Sequence, residues 1–238
     1  RIGVVPDVSM IHLHTNAAAD LFLDSAAFGM SGTNSGTFDD TGLIGRGRDL
    51  NDFYNHHIRG GAGLDLSNQS FSVSVWSKRF SADYGSSDYL LSHGSPGTNA
   101  IGLHFGFVDP NTVRFSFWGD DLDHYHTNYA NTTEWHLWTA TFDAGTRRQT
   151  VYRDGVEMAW RTSSATYQGP TSTIFRLGGA FTDANSYYDG WMDEVRVADA
   201  TRSSNWVWAC YLSQKSNAVF STYRPVHRPL AELPELDP

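Results

Sequence analysis

An all-β fold built as a two-sheet antiparallel sandwich is what the sequence predicts, and three observations predict it. Apolar and polar residues alternate strictly in several short runs. Gly, Pro and Asp clusters punctuate those runs at short intervals, and helical periodicity is nearly absent. Phe71-Ser-Val-Ser-Val-Trp76 and Val113-Arg-Phe-Ser-Phe-Trp118 alternate as half-buried strands do. Trp135 to Phe142 reads as a strand with recurring aromatics. Gln149 to Arg153 and Val156 to Trp160 flank Asp154-Gly155, the dipeptide that best tolerates the positive φ of a two-residue hairpin. Ile174 to Leu177 and Trp191 to Val197 complete the strand set. Turns fall at Ser92 to Gly97, Asp109 to Asn111, Asp143 to Gly145 and Gly178-Gly179. A single short helix is expected near 201–212, capped within Thr201 to Asn205.

The chain has 238 residues, 40% hydrophobic, 14% aromatic and 18% charged, which excludes intrinsic disorder and supplies a core for one large sandwich. The sandwich is expected over residues 1–224. A Pro-rich extended tail is expected over 225–238, where Pro225, Pro229, Pro234 and Pro238 fall. The net charge is −9, and only Lys78 and Lys215 are lysines. No basic stripe exists to neutralise phosphates, so no nucleic-acid partner is expected, and the acidic balance repels anionic lipid. No apolar run reaches the roughly 20 residues of a membrane helix, so no membrane insertion is expected. Cys210 stands alone in the apolar run Trp206 to Leu212, so neither an internal disulfide nor a cysteine zinc site is available. The chain begins at Arg1 without a signal pattern, which leads to the expectation of a processed or excised chain.

Several motifs, taken in order, carry a resemblance. Met10-Ile-His-Leu-His14, Asp24-Ser25 with a Gly/Ser/Asn run to Gly36, and Gly42-Leu-Ile-Gly45 come first. Phe71-Ser-Val-Ser-Val-Trp76, Trp135-His-Leu-Trp138 with Tyr152-Arg-Asp-Gly155, and Tyr188-Asp-Gly-Trp-Met-Asp-Glu-Val-Arg196 follow. Together, over Val8 to Gln214, they resemble a laminin-G-like jelly-roll domain of the concanavalin A-like lectin and glucanase superfamily. The resemblance implies a structural Ca²⁺ between the first loop and the Tyr188–Arg196 strand. Asp24, Asn34 and Asp193 would be its hard oxygen donors, with carbonyls near Gly29 to Asn34. The residues themselves leave a second reading open. Asp193 and Glu194 interrupt an apolar run, and a buried carboxylate there is equally served by an ion pair with Arg196 or Arg176, or by loop amides.

Trp118-Gly-Asp-Asp-Leu-Asp-His-Tyr-His-Thr-Asn-Tyr129 is the second constellation, read as a loop. Trp118, Asp120, Asp121, Asp123, His124 and Tyr125 put hydroxyl acceptors beside aromatic rings, as sugar binding requires. The same aspartates also suit an ordered connection whose carboxylates cap turns. His124 and His126 alternate in the loop, a poor spacing for zinc. His12 and His14 share a strand face, whereas His56 and His57 oppose each other. Tyr84 to Tyr89, with Asp83 and Asp88, is a further loop that would rim a site, and Asn68 and Asn131 head glycosylation tripeptides.

The functional expectation is a secreted or cell-surface, non-catalytic carbohydrate-binding or adhesion module with a glycan or glycoprotein partner. The alternative is a structural subunit of a surface layer or fibre, joined to copies of itself through the C-terminal tail. A glycoside hydrolase is disfavoured. Superfamily glucanases carry a Glu-x-Asp-x-x-Glu strand, whose paired carboxylates lie about 5–5.5 Å apart in retaining chemistry. Glu134, Glu157, Glu194, Glu232 and Glu235 offer no such spacing, and no Gly-x-Ser-x-Gly or His-Glu-x-x-His motif occurs.

Overall fold

The computed structural model describes residues 8–11, 21–22, 32–80, 87–95, 97–130, 132–173, 175–180 and 186–215. Among them the strands are, in chain order, β1 (Val8–Ile11), β2 (Leu21–Phe22), β3 (Gly32–Ser35), β4 (Phe38–Thr41), β5 (Arg46–Leu50), β6 (His57–Gly60), β7 (Phe71–Arg79), β8 (Asp88–Gly94), β9 (Gly102–Asp109), β10 (Thr112–Ser116), β11 (Asp121–Tyr125), β12 (His136–Asp143), β13 (Arg148–Arg153), β14 (Val156–Thr162), β15 (Phe175–Leu177) and β16 (Gly190–Ala198). One α-helix, α1 (Ser204–Lys215), closes the described chain. Sheet A runs β14-β13-β12-β7-β16-β5-β4, with β1 also on β16, and sheet B runs β11-β10-β9-β8-β15-β6-β3-β2. All pairings are antiparallel.

Alternation in sequence becomes two faces in space. In sheet B, Leu122, Phe115, Phe105, Leu91, Leu177 and Ile58 are successive register partners, and all six belong to the core. The next row along the same strands is polar: Asp121, Ser116, His104, Ser92, Arg176 and Arg59. In sheet A, β7 turns Phe71, Val73 and Val75 into the core. Phe71 meets Phe142 of its own sheet at 5.7 Å between centroids and Phe115 of sheet B at 6.2 Å. Burying a Phe, Val or Leu side chain of this kind contributes roughly 1.5–3 kcal/mol each.

The outer face of sheet A is apolar in its middle and is covered by α1. Trp76 and Leu137 are register partners there, and both are buried. Tyr211 of the helix stacks on Trp76 with centroids 5.8 Å apart, and the Trp76 indole N–H donates to Gln214 at 2.7 Å. Ser203 caps the helix through its hydroxyl to the Trp206 amide and its carbonyl to the Val207 amide. The Asp154-Gly155 turn forms as expected, with φ of 54° and 82°. Gly155 also lets the helix approach, since a Cβ there would lie 2.6 Å from Trp208.

Several details depart from the sequence reading. The run from Val113 leaves the sheet at Ser116, because Trp118 and Gly119 turn with φ of 60° and 74°. The 118–129 segment is then not a loop: it forms β11 and a 3-10 turn over Thr127–Ala130. The β16 signature strand is also irregular between Asp193 and Arg196, where Glu194 takes φ 48° as in a β-bulge. The helix extends to Lys215, three residues beyond the expected end. The tail over 225–238 and His12 and His14 lie outside the described residues.

Candidate functional site

The constellation at 118–125 sits on the β10–β11 hairpin at one edge of sheet B. Alternation sends Asp121, Asp123 and Tyr125 to the outer face, opposite Ser116, Arg114 and Thr112. Arg114 grips Asp123 as a fork, with Nε to Oδ1 and Nη2 to Oδ2 both at 2.7 Å, and its Nη1 lies 3.2 Å from Asp121. The hydrogen bond to Asp123 and the charge of Asp121 drive the guanidinium further above its ordinary value. Ser116 donates to Asp121 and accepts the Trp118 amide at 3.1 Å, which fixes the turn.

Beside this hairpin, sheet B sets a floor of rings. Tyr89 of β8 meets His104 of β9 edge-on at 5.1 Å, and His104 meets Trp118 at 6.0 Å. Burial pushes the His104 imidazole below its ordinary value, so it is neutral at pH 7. In the tautomer that donates from Nδ1 to the Gly102 carbonyl, Nε2 remains an acceptor. Burial likewise raises the Tyr89 phenol. Tyr125 stands 63% exposed at the rim.

The sequence constellation therefore divides. Trp118, Asp121, Asp123 and Tyr125 share the outer face and its turn. Asp120 does not: it is buried, bridged to Arg161 at 2.8 Å and bonded to the Ser163 and Ser164 hydroxyls and the Ser164 amide. Desolvation raises its carboxyl, but those hydrogen bonds together hold it below its ordinary value. Asp120 thus ties the hairpin to the segment after β14. His124 opposes Val113 and shares a hydrogen bond with the Tyr129 hydroxyl at 2.8 Å, a contact that anchors the 3-10 turn. Sequence reasoning missed Arg114 and His104, and it placed Tyr89 in a rim loop where the structure has it on β8. The alternation Leu103-His-Phe-Gly-Phe107 was the available signal for the strand that carries His104. Asp88, read as a rim residue, lies inside, paired with Arg79, while 81–86 is outside the described residues.

The metal expectation meets a different geometry. Asn34 belongs to sheet B, and its Oδ1, the atom calcium would take, accepts from the Thr37 amide and hydroxyl at 2.9 and 2.6 Å. Asp193 belongs to sheet A, where its two oxygens accept from the amides of Ile44 and Glu194, each at 2.8 Å. Among the described residues no group of three His, Cys, Asp or Glu side chains gathers as a metal site. In the described residues these oxygens are taken by amide and hydroxyl donors, and Asp24 lies outside the described residues. Glu194 bonds Arg196 at 2.8 Å, the ion pair that the sequence left open. The three described glutamates stand apart, Glu134 just before β12, Glu157 on β14 paired with Arg148 and Glu194 on β16.

A two-sheet antiparallel sandwich of this kind is a lectin-like architecture. The chain belongs to the concanavalin A-like lectin/glucanases superfamily, whose laminin-G model matches residues 52–207. No curated protein sequence matches the chain. Domain 4 of AbnA, a GH43 extracellular arabinanase from Geobacillus stearothermophilus solved in complex with arabinotriose, is similar at TM-score 0.64 and 21% identity, over 85% of this chain and 98% of that one. The binding domain of Paraclostridial Mosquitocidal Protein 1 is similar at 0.66 and 16%, over 87% of this chain and 52% of that one. The botulinum neurotoxin serotype D/C binding domain is similar at 0.68 and 11%, over 88% and 52%. This chain thus spans about half of each toxin binding domain. At these identities the likeness establishes the fold. No described helix is long and apolar enough to cross a membrane.

Proposed function

We propose that the chain is a non-catalytic, extracellular carbohydrate-binding module that takes a glycan on the β10–β11 edge of the outer face of sheet B. The observation that supports this is the pairing of an exposed ring, Tyr125, and a half-buried one, Trp118, with fixed acceptors. Tyr125 and Trp118 flank Asp121 and Asp123, and Arg114 holds both carboxylates in place. Sugars need this combination: rings take the apolar face of a pyranose or furanose, and oriented oxygens accept its hydroxyls. Orientation by Arg114 lowers the ordering cost at binding. The AbnA domain, which is similar in fold, was solved in complex with arabinotriose, and this supports the reading.

The test is an array of neutral and acidic glycans followed by titration with the strongest hit. Trp118→Ala and Asp123→Ala should each weaken binding about ten- to a hundredfold, the loss of one stacking or hydrogen-bonding group. Retained affinity in both variants, or a parent chain that binds no glycan, overturns the reading.

A further inference from the structure

A second group of rings lies at the far edge of sheet A. The turn from β5 to β6, residues 51–56, crosses between the sheets beside β4. Its backbone is tightly closed: the His56 amide donates to the Asn51 carbonyl at 3.0 Å and the Asn55 amide to the Asp52 carbonyl at 2.9 Å. The Asn51 side chain accepts the Tyr54 amide at 3.3 Å, and Asn55 takes φ 56°. This turn presents Phe53 at 81% exposure and Tyr54 at 67%, beside Phe38 of β4 at 63%. The rings are contiguous. Phe53 meets Tyr54 at 5.0 Å, Tyr54 stacks on His56 at 5.6 Å, and Phe38 meets His56 edge-on at 5.4 Å.

Nothing in the stability of the sandwich calls for these rings, because three large apolar side chains left in water contribute little burial, and a clustered exposed patch marks an interaction surface. Its border is polar and acidic, from Asp39, Asp49, Asn51, Asp52 and Asn55, and the nearby Arg46 and Arg48 are both drawn to Asp39. Burial keeps His56 below its ordinary value, so the ring ladder carries no charge at neutral pH. An acidic rim disfavours anionic lipid. Rigid rings bordered by hydroxyl acceptors suit a neutral sugar.

We propose that Phe38, Phe53 and Tyr54 form a second saccharide platform for the ring faces of neutral glycans, separate from the β10–β11 face. This rests on the reading of the chain as a glycan binder and deepens it: two platforms on one rigid sandwich engage separate stretches of a polysaccharide, and the linked events add avidity. The experiment is an array of neutral oligosaccharides that includes arabinotriose. Calorimetric titration with the strongest oligosaccharide hit follows, and then binding to the polysaccharide from which that hit derives. The parent should show a second binding event per chain that the double variant Phe53→Ala, Tyr54→Ala lacks, with polysaccharide affinity at least about tenfold weaker and an unchanged melting curve. Trp118→Ala should remove the other event instead. A single event in the parent that survives Phe53→Ala, Tyr54→Ala overturns the second platform and leaves the first. Absence of binding to every glycan overturns both. A parent dimer by light scattering that the double variant turns into a monomer overturns the saccharide assignment in favour of self-association.

Discussion

The outward rows of sheet A and sheet B differ in character: both are buried in their middle, one with apolar and the other with polar side chains. On sheet A the outward residues Trp76 and Leu137 are apolar, and α1 lies over them with Tyr211 stacked on Trp76. On sheet B the outward row is Asp121, Ser116, His104, Ser92, Arg176 and Arg59, and its edge carries paired charges. The difference teaches how to read apolar groups on this molecule. Where an outer face is apolar for structural reasons, the chain supplies a cover. Rings that have none, among them Tyr125, Phe38, Phe53 and Tyr54, are therefore informative.

The largest test of this contrast is Trp76→Ala. The indole is fully buried between β7 and α1, and such a truncation destabilises by about 3–5 kcal/mol. Denaturant unfolding should show that loss, and limited proteolysis should find new cleavage within 204–215 as the helix undocks. A loss below about 1 kcal/mol, the range of a surface substitution, would break the comparison by showing the helix to be an optional cover.

A second test sets the interior of sheet B against its outside. His93 faces inward, fully buried, with Nδ1 at the Tyr167 hydroxyl and Nε2 at Thr173. Burial lowers its imidazole to about 4, so the folded chain binds fewer protons than the unfolded one between about pH 4 and the ordinary value of 6.5. Its contribution is complete above pH 6.5 and is lost as pH falls to about 4, by roughly 3 kcal/mol. Asp88, raised to about 6 by burial against the pull of Arg79, works in the opposite sense and weakens the fold as pH rises from 3.8 to about 6. The two slopes overlap, so the measurement is the difference between the parent and His93→Gln in unfolding free energy from pH 7 to 4. The variant should lose less on acidification. Equal slopes would show that His93 is not the interior group that resists acid.

The strand set shows what was legible. Phe71 to Trp76, the Asp154-Gly155 hairpin and the helix after Thr201 were readable because each rests on a local rule: period-two alternation, positive φ or a cap. Strands β3 to β6 were not, because Gly32-Thr-Asn-Ser35 and Arg46-Gly-Arg-Asp-Leu50 carry too few apolar residues for alternation to register. Their pairing comes from neighbours distant in sequence. At the candidate face, the residue types from Trp118 to Tyr125 were legible, but which of them share a face depended on recognising β11. Arg114 and His104 were hidden for the same reason: a cross-strand partner is a long-range fact. The ring ladder was missed because Phe53 and Tyr54 look like core residues until their exposure is known.

The smallest expected effect concerns the part of sheet A that α1 does not reach. There the β4–β5 turn is the cover, and Asp193 holds it by accepting the Ile44 amide on Oδ2 while Oδ1 takes the Glu194 amide. Gly42 makes the approach feasible, since a Cβ there would come 2.6 Å from Asp193 Oδ2. Asp193→Ala leaves two amides without these acceptors and should cost about 1–3 kcal/mol. Calcium decides what kind of cover this is. An ion bound only by the folded chain would add roughly 2.7 kcal/mol at a hundredfold excess over its Kd. With both oxygens of Asp193 engaged by amides, the penalty of the substitution should be the same in millimolar calcium and in chelator, measured as the shift in melting temperature of parent and variant. A larger penalty in calcium would instead mean that Asp193 helps hold an ion, and that this end of sheet A is fastened by a metal as well as by the turn.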